Sequence, residues 1–235
     1  MLYTEIEERV SEEDIVLDIG TKSGSKLKNV DANIIGIDID LKPSLDIQYL
    51  FGDGCQLPFK NDCFDYILCY QVLEHVHDKS LMLDEIQRVI KPSGVAMFSF
   101  PNRLFPGRPH SPPRWYSYLP RKWGVLLADI LLTRQVANYY KNNVYNLSPI
   151  SARNMLESRF QSVDYNTLND KLKYRTRYLD KSDDYPHSHS PTSGGIFFTK
   201  YLLPIIQLMA DNLLFTWVFE LIFPEVEYIC SDVKK

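Results

Sequence analysis

Three aspartates stand early in the chain, each closing an apolar run: Asp18 in "IVLDIGTKSG", Asp38 in "IIGIDID" and Asp53 in "YLFGDG". The first is followed by Gly20 and Gly24. An apolar strand, a glycine loop and a helix together form a cradle for a nucleotide-like ligand. The glycines let the backbone approach the ligand closely. An acid at the second tip can accept both hydroxyls of a ribose. An acid at the third can accept from the exocyclic amine of adenine, which selects it over an oxo base. No Gly-Lys-Ser/Thr follows the glycines, so a P-loop is excluded. Taken singly, Asp18 could merely cap the next helix, and Asp53 could be an ordinary turn acid. All four tips agreeing by chance is improbable, the fourth being "CYQVLEHV".

The runs that carry these acids read as buried parallel strands. "DIVLDIG", "NIIGIDID", "DIQYLFGDG" and "FDYILCYQV" are rich in Ile, Val, Leu and Tyr with little alternation. A short helix is expected from about Gly24 to Val30. "LMLDEIQRVI" reads as a helix with Leu83, Ile86, Val89 and Ile90 on one face, ended by "KPSG". "VAMFSF" is a fifth strand, closed by Pro101. Strand and helix alternate through the first hundred residues. The expected fold is therefore α/β, a doubly wound, Rossmann-like, mostly parallel sheet.

The texture changes after Pro101. "PNRLFPGRPHSPPRW" is too rich in Pro and Arg for regular structure, and "KWGVLLADILLTRQVANYY" then reads as an apolar helix. An insertion here would lie over the carboxyl ends of the strands, where open α/β sheets bind ligands. Residues 103–147 are read as that cap, 1–102 as the cofactor-binding half, and 148–235 as the half that completes the sheet of a single domain. "LSPISARNMLESRF" returns to the core as a helix with Ser148 as N-cap and Pro149 at its first position. "QSVDYNTL" and "PEVEYICSDVKK" are strand candidates, and residues 180–195 read as a loop.

Composition narrows the class. The chain has 235 residues, 45% of them hydrophobic and 24% charged, as in an ordinary soluble globular protein. Its net charge of −4 argues against a general nucleic-acid binder. Cys55, Cys63, Cys69 and Cys230 form no C-x-x-C pair and no zinc spacing, so free thiols in a reducing cytosol and no metal are expected. The N-terminal segment is acidic and lacks a signal peptide's apolar region. Residues 196–223 are greasy, but Gln207, Asp211, Asn212, Thr216 and Glu220 interrupt them and Pro204 would kink them. Core or dimer packing is the plain reading, and contact with lipid or an apolar substrate the sharper one. Cytoplasmic residence, with peripheral membrane contact through this segment, is the expected location.

The motifs "VLDIGTKSG", "IIGIDID", "GDGCQLPFKNDCFDYILCYQVLEHV" and "EIQRVIKPSGVAMFSFPN" resemble, in order, those of a class I S-adenosylmethionine-dependent methyltransferase of the methyltransferase domain 11-like type. They cover about residues 14–102. The third is the most specific: an acid, then "LPF", then "FDYI", then "VLEH". The resemblance implies S-adenosyl-L-methionine as cofactor and a role for each tip. Asp18, Gly20, Thr21 and Gly24 would border its methionine part. Asp38 would take the ribose hydroxyls, with Ile39 against the adenine face. Asp53 would meet the adenine amine, Gly54 would let the ring lie close, and Tyr70 would sit beside the sulfonium.

Two departures stand out. The family's G-x-G-x-G reads G-T-K-S-G, with Lys22 at the middle glycine. Lys22 could tilt into solvent, weaken binding by restricting the backbone, or offer its ammonium to the cofactor's carboxylate. The spacings are also short: 14 residues from Gly24 to Asp38 and 15 from Asp38 to Asp53. "LKPSLD" has no room for a full crossover helix, which is expected to be missing or reduced to a turn.

Methyl transfer from a sulfonium is an in-line displacement that asks the protein mainly to position reactants and exclude water. An oxygen nucleophile often needs a base, and His110 in the cap is the candidate, with His75 second. From Arg103 to Arg134 the cap carries Arg103, Arg108, Arg114, Arg121, Lys122 and Arg134 against Asp129 alone. Lys171, Lys173, Arg175 and Arg177 would form a basic strand face. These cations read either as a solvated edge or as recognition of an acidic substrate. Arg103, Arg108, Arg114 and Trp115 are the substrate candidates. The expected activity is methylation of a small molecule, of acidic, lipid or glycan-precursor type. The alternatives are a non-catalytic methyltransferase-like scaffold with a degenerate loop and, more distantly, a nicotinamide oxidoreductase.

Overall fold

The computed structural model describes residues 2–27, 29–40, 47–102, 119, 121–145, 147–166 and 225–235. Among the described residues, seven strands form one sheet: β1 (Ile15–Ile19), β2 (Asn33–Asp38), β3 (Gln48–Phe51), β4 (Phe64–Tyr70), β5 (Ile90–Pro101), β6 (Phe160–Tyr165) and β7 (Glu225–Val233). Their order is β3-β2-β1-β4-β5-β7-β6. β1 to β5 pair in parallel, and β7 runs antiparallel to both β5 and β6. The expected α/β architecture is therefore present, with one reversed strand.

Alternation along the strands divides the core between the two faces. Leu17, Ile67 and Phe98 point to one side, where they meet Met82, Leu83, Ile86 and Val89 of α2 (Lys79–Val89) and Ala152 and Leu156 of α5 (Pro149–Glu157). Val16, Leu68 and Met97 point to the other, where they meet Ile6 of α1 (Leu2–Arg9) and Leu27 of a single 3-10 turn, Ser25–Leu27. Each such side chain, withdrawn from water, contributes on the order of 2 kcal/mol before chain entropy is counted.

The helix ends follow local chemistry. The Asp78 carboxylate accepts from Leu81 N–H at 3.1 Å and starts α2. Ser148 Oγ accepts from Ser151 N–H at 3.1 Å and Pro149 opens α5, as the sequence indicates. Arg159 clamps α2 to the start of β6, donating to Asp84 Oδ1 at 2.6 Å and Ser80 Oγ at 2.7 Å.

Several boundaries differ from expectation. The helix foreseen over 24–30 is only the 3-10 turn. α2 stops at Val89, and "KPSG" lies within β5. The register jumps from Phe64↔Ile90 to Tyr66↔Val95, so these residues bulge out of the ladder, which Pro92 cannot enter as a donor. The apolar helix foreseen over 122–140 is two helices, α3 (Arg121–Leu131) and α4 (Arg134–Asn143), broken at Thr133 in extended conformation. Residues 41–46, where the missing crossover helix was expected, and 171–177 and 196–223 lie outside the described residues.

Candidate active site at the strand tips

The glycine loop bends left-handed three times: Gly20 at φ 77°, Lys22 at φ 50° and Gly24 at φ 69°. Lys22 thus takes the backbone conformation that a glycine would take at its place. Its N–H donates to Asp38 Oδ2 at 2.9 Å, and its side chain is exposed to solvent. That geometry matches the solvated reading of Lys22. A Cβ on Gly20 would come within 2.2 Å of Val72 Cγ2, and one on Gly24 within 2.5 Å of Tyr49 Oη. Tyr49 Oη in turn donates to Ser23 O at 2.7 Å and fastens the loop to β3.

Register brings the tips into line. Ile19 pairs with both Ile37 and Cys69, so Asp38 and Tyr70 flank the start of the loop. Tyr70 pairs with Ser99, and Ser99 with Glu227. Asp18 lies one step below, between Gly36 and Leu68, almost wholly buried. The Asp38 carboxylate also accepts from Asp40 N–H at 2.8 Å. Asp53 Oδ1 accepts from Cys55 N–H at 2.9 Å, so this acid is a turn residue that still faces solvent. Gly54 is small because Met82 Cε and Ile19 Cγ2 lie 3.0 and 3.2 Å from where its Cβ would be.

The residues present suit an adenosine. Asp38 pairs in register with Phe51, and two large apolar side chains stand uncovered beside it: Ile39 is 70% exposed and Phe51 77%. A flat ring laid there would cover apolar surface next to a carboxylate with spare lone pairs. Thr21 is buried, and its Oγ1 has no hydrogen-bond partner among the described residues, while its methyl lies 2.6 Å from where a Gly36 Cβ would sit.

A second cluster went unread in the sequence. Glu225 Oε1 accepts from Gln71 Nε2 and from Ser99 Oγ, both at 2.7 Å. Glu225 also shares a hydrogen bond with Tyr70. Burial, reinforced by Glu225, pushes the Tyr70 phenol well above its ordinary value, so it is a neutral donor. Lys26 Nζ stands 3.5 Å from the Tyr70 ring centroid. Burial lowers the Lys26 pKa, and Asp18 and Glu225 offset part of that. Gln71 is itself left-handed at φ 57°, with its N–H on Ser99 O at 2.8 Å. Strain held by a polar network beside a ligand cleft is a common sign of a functional position.

The loop after β4 anchors the α3–α4 hairpin. His75 Nδ1 is 2.7 Å from Asn143 O, Tyr145 N–H donates to Glu74 O at 2.6 Å, and His77 meets the Tyr145 ring edge-on at 5.1 Å. His75, the second base candidate, is engaged at that carbonyl of the hairpin. His110, Arg103, Arg108, Arg114 and Trp115 lie outside the described residues, as do the greasy residues 196–223. All four cysteines are free, and the described residues hold no cluster of metal ligands.

Comparison with known proteins agrees with this geometry. Residues 17–98 match the family model of the methyltransferase domain. A probable S-adenosylmethionine-dependent methyltransferase of Mycolicibacterium smegmatis is 30% identical over 122 residues, 46% of each chain. A demethylmenaquinone methyltransferase of Corynebacterium glutamicum is 42% identical over 59 residues, 24% of this chain and 26% of its own. The chain spans less than half the length of these curated relatives. Among solved structures, phosphoethanolamine N-methyltransferase 2 of Haemonchus contortus, in complex with S-adenosyl-L-methionine, superposes with a TM-score of 0.54. That match has 13% identity and covers 99% of this chain and 52% of the other, so it speaks for the fold. The strand order, the left-handed loop and the aligned acids agree with the methyltransferase domain whose family model residues 17–98 match.

Proposed function

We propose that this protein transfers a methyl group from S-adenosylmethionine to a small molecule. The observation that carries the reading is Lys22. The loop keeps its left-handed course there without a glycine, and the Lys22 N–H is spent on Asp38 rather than lost. When bound, the cofactor supplies an electrophilic methyl. The chain supplies the rest. Asp38 has lone pairs left to accept from ribose hydroxyls. Ile39 and Phe51 cover the adenine, and Asp53 accepts from its amine. Asp18 adds buried negative charge beneath the loop, suited to the positive methionine end.

Tyr70, Gln71, Ser99 and Glu225 form a hydrogen-bonded wall that would stand beside that end. Their part is to hold the acceptor in line, which is where such catalysis draws most of its rate. The acceptor is of acidic, lipid or glycan-precursor type, drawn in by Arg103, Arg108, Arg114 and Trp115, with His110 as base where the nucleophile is an alcohol. The cations and the aromatic ring in the sequence after β5 support this reading.

Calorimetric titration with S-adenosylmethionine and S-adenosylhomocysteine tests the reading. Wild type is expected to bind both, and Asp38→Ala to lose about tenfold or more in affinity, the loss of one or more hydrogen bonds to a charged group. Absence of heat in well-folded wild-type protein would replace the enzyme with a non-catalytic module of the same fold.

A further inference from the structure

The hairpin after β5 is built inside out. The α3 residues buried in it are small, Gly124 and Ala128, and Ala128 packs with Ala137 of α4. The large apolar residues are turned outward: Trp123 is 60% exposed, Leu126 48% and Ile130 66%. Spaced three and four residues apart, these three share one face of the helix. A helix of a soluble domain usually turns such a face to the core. A contiguous exposed stripe marks an interaction surface.

Charge identifies what covers it. From Arg121 to Tyr145 the hairpin carries Arg121, Lys122, Arg134 and Lys141, all exposed, against Asp129 alone. The whole chain has a net charge of −4, so cations are concentrated here against the general trend. Arg121 is partly engaged, donating to Lys141 O at 2.6 Å and stacking 4.2 Å from the Tyr145 ring centroid. An apolar stripe with an exposed tryptophan, set among cations, is complementary to an anionic lipid surface: side chains at the acyl boundary, cations at the phosphates. Among the described residues no helix is long and apolar enough to cross a membrane, so the contact lies in the interface.

We propose that α3 is a peripheral membrane-docking element that rests Trp123, Leu126 and Ile130 on an anionic bilayer. The hairpin is rooted on the loop after β4 through Glu74 and His75, so docking ties the strand-tip edge to the lipid surface.

Co-sedimentation of the full chain with lipid vesicles tests this, and it needs no methyl transfer. Vesicles rich in phosphatidylglycerol should carry the protein down, and phosphatidylcholine vesicles should not. Leu126→Ser with Ile130→Ser should cut the partition coefficient by about tenfold or more per side chain. Lys122→Gln with Arg134→Gln should cut it about fivefold per cation, and added salt should do the same to wild type. All four positions are exposed, so unchanged thermal melting will confirm that the variants are folded. Equal binding to both vesicle types, no binding to either, or serine variants that bind like wild type would each overturn the proposal. So would sedimentation equilibrium showing a dimer that Ile130→Ser splits, which would assign the face to a second copy.

Discussion

The two ends of the sheet treat the same problem differently. Both hold non-glycine residues in the left-handed region. At the amino end of β4 and the far end of β7 these are Asp62 and Asp232, whose short polar side chains tolerate that conformation. At the carboxyl ends of β1 and β4 they are Lys22 and Gln71, which have no such excuse. Charges divide in the same way. At the amino end Lys91 pairs with Asp65 at 2.7 Å and Arg88 with Glu85 at 2.7 Å, both partly in solvent. At the carboxyl end Asp18 and Glu227 are buried, and Glu225 is held by neutral donors. Strain and desolvated charge gather where a ligand would compensate for them, and the other end is simply stabilised.

The harshest way to break that contrast is Gly20→Ala. The new Cβ would sit 2.2 Å from Val72 Cγ2 at a φ of 77°. A strained backbone and an overpacked contact together should cost about 3 kcal/mol of unfolding free energy. Urea denaturation measures this, and the variant should also lose cofactor binding.

Glu225→Gln comes next. It keeps an acceptor for Gln71 and Ser99 but removes the charge, and the weaker hydrogen bonds should cost about 1 kcal/mol. A more specific readout is Tyr70. Its folded pKa is raised, so its contribution to stability is present below the unfolded value of about 10 and fades as pH climbs above that. With Glu225 neutral, the phenol should titrate at lower pH in a spectrophotometric titration, and the alkaline loss of stability should shrink. An unchanged Tyr70 titration would remove Glu225 from the network.

What could be read in advance follows the same division. β1, β2 and β4 were legible because buried parallel strands are nearly continuous apolar runs. α5 was legible because Ser148 and Pro149 mark its start chemically. The acids were legible because each closes a run. Glu225 was not, because it is 154 residues from Gln71, and only the reversed pairing of β7 brings them together. The α3–α4 break was hidden too: Thr133 is a weak stop signal inside a long apolar pattern, and the side chain makes no capping bond. At Lys22 the residue type shows that a glycine is missing but not that the backbone has kept the glycine's conformation.

Lys22→Gly therefore sharpens the comparison in the opposite direction. It removes left-handed strain at the functional end and should stabilise the fold by about 1 kcal/mol, less some entropy gained by the unfolded chain. Because the Lys22 side chain is exposed, cofactor affinity should stay within about twofold, a change of less than half a kcal/mol. A larger drop would mean that the ammonium reaches the cofactor's carboxylate.

The smallest effect is expected at the other end. Burial raises the Asp65 pKa, but the bonds from Lys91 Nζ and Ile15 N–H outweigh it and hold the carboxyl below its ordinary value. A depressed carboxyl contributes stability above its unfolded pKa of about 3.9 and loses it as pH falls through the folded value. Lys91→Met removes one source of that depression. Both groups are partly solvated, so the cost at pH 7 should be about 0.5 kcal/mol, and the loss of stability on acidification should shrink. A loss as large as that of Glu225→Gln would mean that paired surface charge at the amino end matters as much as desolvated charge at the carboxyl end, and the contrast between the two ends would collapse.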